Sequence, residues 1–223
     1  WPGHFNKPIA TAMYENICQI GLPKWSEEDQ LLAKATQIEM KSPNVDGLAA
    51  KLDSIGLPAE VKPVMMGGRQ MIAMGGGSDD IADISWSLPT VVLRYPSNIP
   101  NLPGHHWSNA IAMATPIAHK GIIAGAKAEA TTLIDLFLKP ELIRASWDYY
   151  KNEQTKDIQY SPLVGPKDLP ATYLNKDIME QYKPQLQKFY YNPDKYKTYL
   201  EQLGITYPTL RDDQRKAIAE LKK

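Results

Sequence analysis

The stretch LPGHHWSNA, residues 102 to 110, sets two histidines side by side after a Pro-Gly pair, in a chain with four histidines in all. Neutral imidazole is the commonest side-chain ligand for zinc-like metals. His105 and His106 therefore present the chemistry of a metal site, on a loop that follows a strand-like segment, where functional side chains are often displayed. Neighbouring side chains in extended chain point opposite ways, so at most one of the two ligates a metal directly. The competing reading makes both of them polar loop residues. His119, inside a helix, and His4, near the amino end, read as structural.

A second candidate is the glycine run GGGSDD, residues 75 to 80. Its backbone N–H groups are free to approach an anion, and Ser78 adds a hydroxyl. The spacing fits neither a Walker loop nor a dinucleotide fingerprint. The same residues also read as a tight strand-to-helix turn capped by Ser78 or Asp79. Glu27-Glu28 has the composition of a base and ligand pair in a two-metal site. The pair directly follows Ser26, a capping residue, and helix-end electrostatics explains it without catalysis. Neither HExxH nor GxSxG occurs, and nothing singles out a Ser-His-Asp triad. Cys18 is the one cysteine, which excludes an internal disulfide and a cysteine-held zinc. Set among apolar residues, it reads as buried and inert.

These candidates need elements to hold them. Asn6 caps a helix with Pro8 in its first turn, Ile9, Met13, Ile17 and Ile20 on one face, and Gly21 and Pro23 at its end. Ser26 caps a second helix, whose acidic residues 27 to 29 meet the positive helix end and whose stripe is Leu31, Leu32, Ala35 and Ile38. A third short helix is expected from Asp46 to Ile55. GRQMIAMGGGSDD reads as a short strand entering the glycine loop, and PTVVLRYP, residues 89 to 96, as a buried strand. Thr115 and Pro116 open a long helix to Leu138, Lys139-Pro140 breaks it, and a shorter one follows to about Tyr150. Beyond a proline-rich stretch, helices are expected at 175–190, 193–203 and 209–221.

The totals narrow the class. The chain has 223 residues, 43% apolar and 22% charged, as expected for one large globular domain or two small ones. Twenty-five basic residues balance twenty-five acidic ones, which gives no argument for nucleic acid or an anionic membrane as partner. The tyrosine- and lysine-rich tail interleaves its lysines with acids and reads as a packed surface. The most apolar region, 111–138, is broken by Pro116, His119, Lys120, Lys127, Glu129 and Asp135, so no membrane span is expected. The opening WPGHFNKP has no initiator Met and no signal-like apolar run. It reads either as a processed terminus or as a piece of a longer polypeptide, cytoplasmic or exported after processing.

One resemblance sharpens the reading. GGGSDDIADISWSLPTVVLRYPS, continued by LPGHHWSNAIAMATPIAHKGIIAGAKAEATTLIDL, resembles the metal-dependent amidohydrolases related to aminobenzoyl-glutamate utilisation protein B. These belong to the dinuclear-metal aminoacylase and carboxypeptidase superfamily. The carrying motifs are Ser-x-Asp-x-x-Asp-x-Ser-Trp, Pro-Thr, His-x-Trp and Ala-His-Lys-Gly. NKPIATAMYENICQIGLPKWSEEDQLLAKATQ and YSPLVGPKDLP are also similar, so the likeness covers roughly residues 6 to 170.

The resemblance implies amide hydrolysis by a water that two divalent metals, zinc or manganese, activate. It implies that His105, fixed in register by Trp107, is a metal ligand, with His106 where a small polar residue usually stands. It also implies that Gly76, Gly77 and Ser78 face the substrate, and it matches Asp80 to a recurrent aspartate. The family's upstream His-x-Asp, bridging aspartate, Glu-Glu pair and further ligand are not found here.

The chain is therefore expected to be a carboxy-terminal portion, inactive alone. Catalytic residues and the amino-terminal part would come from elsewhere in a longer chain or from a second subunit, in a homo- or hetero-oligomer. The expected fold is α/β, part of a three-layer αβα sandwich of the zinc-exopeptidase type. Residues 1–150 would form part of the catalytic domain, and 151–223 a proline-rich segment with a helical extension. The region before Gly67 would be helical and cover the sheet. The alternative is a noncatalytic subunit or binding module on the same scaffold.

Overall fold

The computed structural model describes residues 1–49 and 80–221, together with the backbone of residues 63–66 and 69–72. Helix α1, Lys7–Ile20, begins where expected: the Asn6 side chain accepts from the Ile9 N–H, and Pro8 occupies the first turn. It ends at Gly21, whose φ of 73° is the left-handed conformation that glycine adopts most cheaply. Helix α2, Glu27–Glu39, starts with a capping box: Ser26 accepts from the Asp29 N–H, and Asp29 accepts from the Ser26 N–H. Strands β1 (Pro63–Met66) and β2 (Arg69–Ile72) pair antiparallel, Pro63 opposite Ile72 and Met66 opposite Arg69. Helix α3 is Asp80–Ser85, and a 3-10 helix covers Trp107–Ala114.

Helix α4, Pro116–Leu138, is capped by Thr115. Lys139 and Pro140 break it from α5, Pro140–Tyr149, which continues into a single π turn over Tyr150–Gln154. The tail holds α6 (Lys176–Leu186), α7 (Tyr199–Gln202) and α8 (Asp212–Glu220). These are shorter than the three stretches expected from the sequence, and α6 buries none of its residues.

Two apolar clusters hold the elements together. Ala33 of α2, Leu48, Ile99, Ala112 and Ile117 form one, with Trp25, Leu32, Leu102 and Ile111 against it. Met13 and Ile17 of α1 and Ala128 of α4 form the other, with Ile20, Val91, Leu93 and Tyr95. Helix α4 thus spans both. Burying a side chain such as Ile117, which is fully enclosed, contributes about 2 kcal/mol.

The three-layer αβα sandwich expected from the sequence is not what these residues form. Among them the only strands are β1 and β2, a two-stranded antiparallel pair amid helices, and β1 lies before Gly67 where helix was expected. The difference centres on residues 89–96. Their β-branched, aromatic composition reports burial, and Val91, Leu93 and Tyr95 do pack on α1 and α4. Composition does not report a ladder partner. This backbone forms no regular element, lies beside helices and is tied by the Asn6 N–H donating to the Thr90 carbonyl at 2.8 Å. Residues 46–49 of the expected third helix are irregular, with Gly47 at φ 78°, and the remainder lies outside the described residues. Cys18 is exposed, not buried.

The contact between residues 93–97 and α4 depends on glycine. A Cβ on Gly121 would stand 2.2 Å from the Pro96 carbonyl oxygen and 2.5 Å from Ser97 Cα, both backbone atoms that cannot swing away. Gly121→Ala is expected to destabilise the fold by about 2 kcal/mol, the strain of overpacking exceeding alanine's better helix propensity. At Gly125 the nearest neighbour is Tyr95 Cβ at 3.2 Å, so Gly125→Ala should be milder. Urea unfolding of both variants checks the order.

Candidate functional site

The histidine turn is braced by amide side chains. Gln37 of α2 is fully buried; its Nε2 donates to the carbonyls of Gly47 (3.2 Å) and Pro100 (3.0 Å), and its Oε1 accepts from the Gly47 N–H. Asn98 donates to the Asn109 carbonyl at 3.0 Å, and Asn109 donates to the carbonyls of Pro103 (2.7 Å) and His106 (3.3 Å). Ile99, 2% exposed, anchors the loop in the first cluster. A loop tied this way holds its tip in a defined place, as a ligand-bearing segment requires. Sequence reasoning missed these amides; the density of Asn and Pro between residues 96 and 109 was the available signal.

The two histidines divide their roles. His106 is half-buried and caps the 3-10 helix: its Nδ1 lies 3.0 Å from Ser108 Oγ and accepts from the Ser108 N–H, while its ring lies 5.1 Å from that of Trp107. His105 is exposed at φ 51°, a left-handed conformation uncommon outside glycine, and no hydrogen bond engages its ring among the described residues. No group of three or more His, Cys, Asp or Glu side chains arranged to hold a metal occurs among the described residues. Among the described residues His105 therefore belongs to no cluster of three or more such side chains. Gly76, Gly77 and Ser78 lie outside the described residues.

The other sequence candidates have structural explanations. Asp80 is exposed at the start of α3. In the Ser-Trp pair of the motif, Ser85 Oγ accepts from the His4 N–H at 3.0 Å and Trp86 Nε1 donates to the Pro2 carbonyl at 2.6 Å, so both pin the amino end. His4 lies against Trp86, and burial holds its pKa below the ordinary histidine value. His119 is exposed on α4. The helix-start reading of Glu27-Glu28 agrees with α2. Backbone N–H bonding and then the Ser26 hydroxyl hold the Glu28 carboxyl below its ordinary range. Beside the histidine turn, Trp107, Ile111, Leu32, Ala35, Met40 and Leu210 line an apolar cleft of about 360 Å³. The Arg211–Glu39 ion pair (2.6 Å) lies beside it.

No family model matches the chain, and no solved structure matches it. A curated relative places it, distantly, beside a component of a hydrolase. That relative is a subunit of p-aminobenzoyl-glutamate hydrolase from Escherichia coli (strain K12), 28% identical over an alignment of 184 positions that covers 76% of this chain and 37% of the relative. The chain therefore spans little more than a third of the length of the protein it resembles. No helix among the described residues is long and apolar enough to cross a membrane.

Proposed function

We propose that this chain is the carboxy-terminal part of a dinuclear-metal amidohydrolase, acting on an aminobenzoyl-glutamate-like or N-acyl amino acid amide. The observation that carries the reading is its similarity, over 76% of its residues, to a subunit named for p-aminobenzoyl-glutamate hydrolysis. His105 is the proposed metal ligand. It is exposed on a braced loop with no ring hydrogen bond among the described residues, whereas His106 is committed to its cap. Two dications need about five or six protein donors. The described residues alone do not fit such a centre, because no three candidate ligands meet. The remaining donors and the catalytic residues belong, on this reading, to polypeptide outside the chain: an amino-terminal part or a second subunit. Zinc suits the imidazole donor, and manganese suits carboxylates supplied beside it. Gly76, Gly77 and Ser78 are proposed to face the substrate through N–H groups and a hydroxyl. The word "subunit" in the relative's name supports one alternative, a noncatalytic binding component.

The test is release of p-aminobenzoate from p-aminobenzoyl-glutamate with zinc or manganese present. The chain is assayed alone and in the complete assembly purified from its native source. Hydrolysis by the assembly and none by the chain alone is expected. Turnover by the chain alone would refute its incompleteness, and an inert assembly would favour the binding component.

A further inference from the structure

Helix α4 carries two apolar faces, and the fold covers one of them. Ile117, Gly121, Ala124, Gly125, Ala128 and Thr132 are buried against α1, the 89–97 segment and the first cluster. On the opposite side Ile122, Ile123, Leu133, Ile134, Phe137 and Leu138 are exposed, from 49% at Leu133 to 84% at Phe137. With exposed Ala126 and Ala130 between them, most of these side chains fall on one arc of about 120°, along about 22 Å of helix. Together they show water on the order of 800 Å² of apolar surface. That exceeds the largest patch of a typical monomer and equals one side of a standard interface. A helix with a second apolar face of this size calls for a second covering surface.

We propose that this outward face of α4 is the docking surface for the polypeptide that completes the enzyme; the proposal rests on the function proposed above. Two observations favour that occupant, the second by disfavouring an antiparallel self-pair. The match covers 37% of the relative, which leaves most of the relative's length to pack somewhere. The face is also a poor match for itself in an antiparallel pair. Lys127 stands on one margin and Glu129 on the other, so a two-fold antiparallel pairing sets lysine beside lysine and glutamate beside glutamate.

The experiment places the photo-crosslinking residue p-benzoylphenylalanine in place of Ala130, in the protein produced in its native host. A control carries it in place of Glu180 on α6, the helix that buries nothing. After irradiation, adduct peptides are sequenced. The expected adduct at 130, and not at 180, is a polypeptide resembling the part of the E. coli relative outside the matched region. Leu133→Glu with Phe137→Glu should reduce that adduct at least tenfold while leaving thermal unfolding of the isolated chain unchanged, because both side chains already face water there. A second copy of this chain in the adduct, the same adduct at 180, or none would overturn the proposal. Hydrolysis is scored separately on the purified complex: an inert crosslinked complex refutes the hydrolase and leaves the docking surface, whereas a self-adduct refutes the surface alone.

Discussion

Asn6→Ala is expected to lower the free energy of unfolding by about 4 kcal/mol, the largest loss foreseen for any single polar side chain here. Asn6 is fully buried and works in four directions. Its Oδ1 accepts from the Ile9 N–H at the start of α1, and its backbone N–H donates to the Thr90 carbonyl. Its Nδ2 donates to the Ser146 carbonyl of α5 at 2.9 Å and to Gln154 Oε1 of the π turn at 2.8 Å. Gln154, 2% exposed, in turn donates to the His4 carbonyl. Alanine removes the cap, worth about 1 kcal/mol. It also strips Gln154 Oε1 of its partner, and a buried acceptor left unmet costs about 1–3 kcal/mol more. Chemical denaturation of Asn6→Ala, Gln154→Ala and the double variant measures this; the two losses should be strongly non-additive. A loss near 1 kcal/mol, typical of a surface cap, would mean the buried network adds nothing.

Asp29→Ala is expected to cost about 3 kcal/mol and to change how stability responds to pH. The carboxylate is fully buried. Its Oδ2 accepts from the Ser26 N–H at 2.8 Å and from Lys120 Nζ of α4 at 2.5 Å, and its Oδ1 accepts from the Tyr207 hydroxyl at 2.6 Å. One side chain thus joins the start of α2, the long helix and the tail. Breaking a buried pair costs about 3–5 kcal/mol, and the lower end applies because Lys120 keeps 35% exposure and can turn to water.

Burial alone would raise the Asp29 pKa, but hydrogen bonds from Lys120, Tyr207 and Ser26 outweigh it and hold the group below its ordinary value. A depressed carboxyl stabilises the fold above its unfolded pKa, near 4, and that contribution is lost as pH falls through the folded value. Burial, then the bond to Asp29, pushes the Tyr207 hydroxyl upward. Its contribution is therefore present below about pH 10 and lost as pH rises beyond it. Stability against pH should then show a plateau between about 4 and 10, with the acid edge blunted in Asp29→Ala and the alkaline edge in Tyr207→Phe. Guanidinium midpoints across pH report both, and unchanged edges would show that these groups do not govern the titration.

What the sequence disclosed follows the range of the interactions. Helix starts at Asn6, Ser26 and Thr115, with Pro8 and Pro116, were legible because a cap is written within four residues. The break at Lys139-Pro140 was legible for the same reason. The buried polar groups were not: Asn6 meets Gln154 across 148 residues and Asp29 meets Tyr207 across 178. Asp29 has the look of a third member of an acidic helix start, and only its distant partners make it different from Glu27. The run at 89–96 announces burial but not its neighbours, so its composition points to a sheet where helices supply the surroundings. Cys18 sits among apolar residues in sequence, but helix α1 turns that position outward. At the candidate site, the two histidines stood out in the sequence as candidates, whereas the structural difference between them did not. That needed the Ser108 cap of His106 and the positive φ of His105.

The most direct test of His105 as a metal ligand is the metal content of the complete enzyme carrying His105→Gly, set beside His106→Gly. Glycine accepts φ 51° more readily than histidine, so the turn survives the loss of the imidazole. Elemental analysis by inductively coupled plasma mass spectrometry is predicted to show at least one metal equivalent lost in His105→Gly and both retained in His106→Gly. Full metal occupancy in His105→Gly would contradict the assignment.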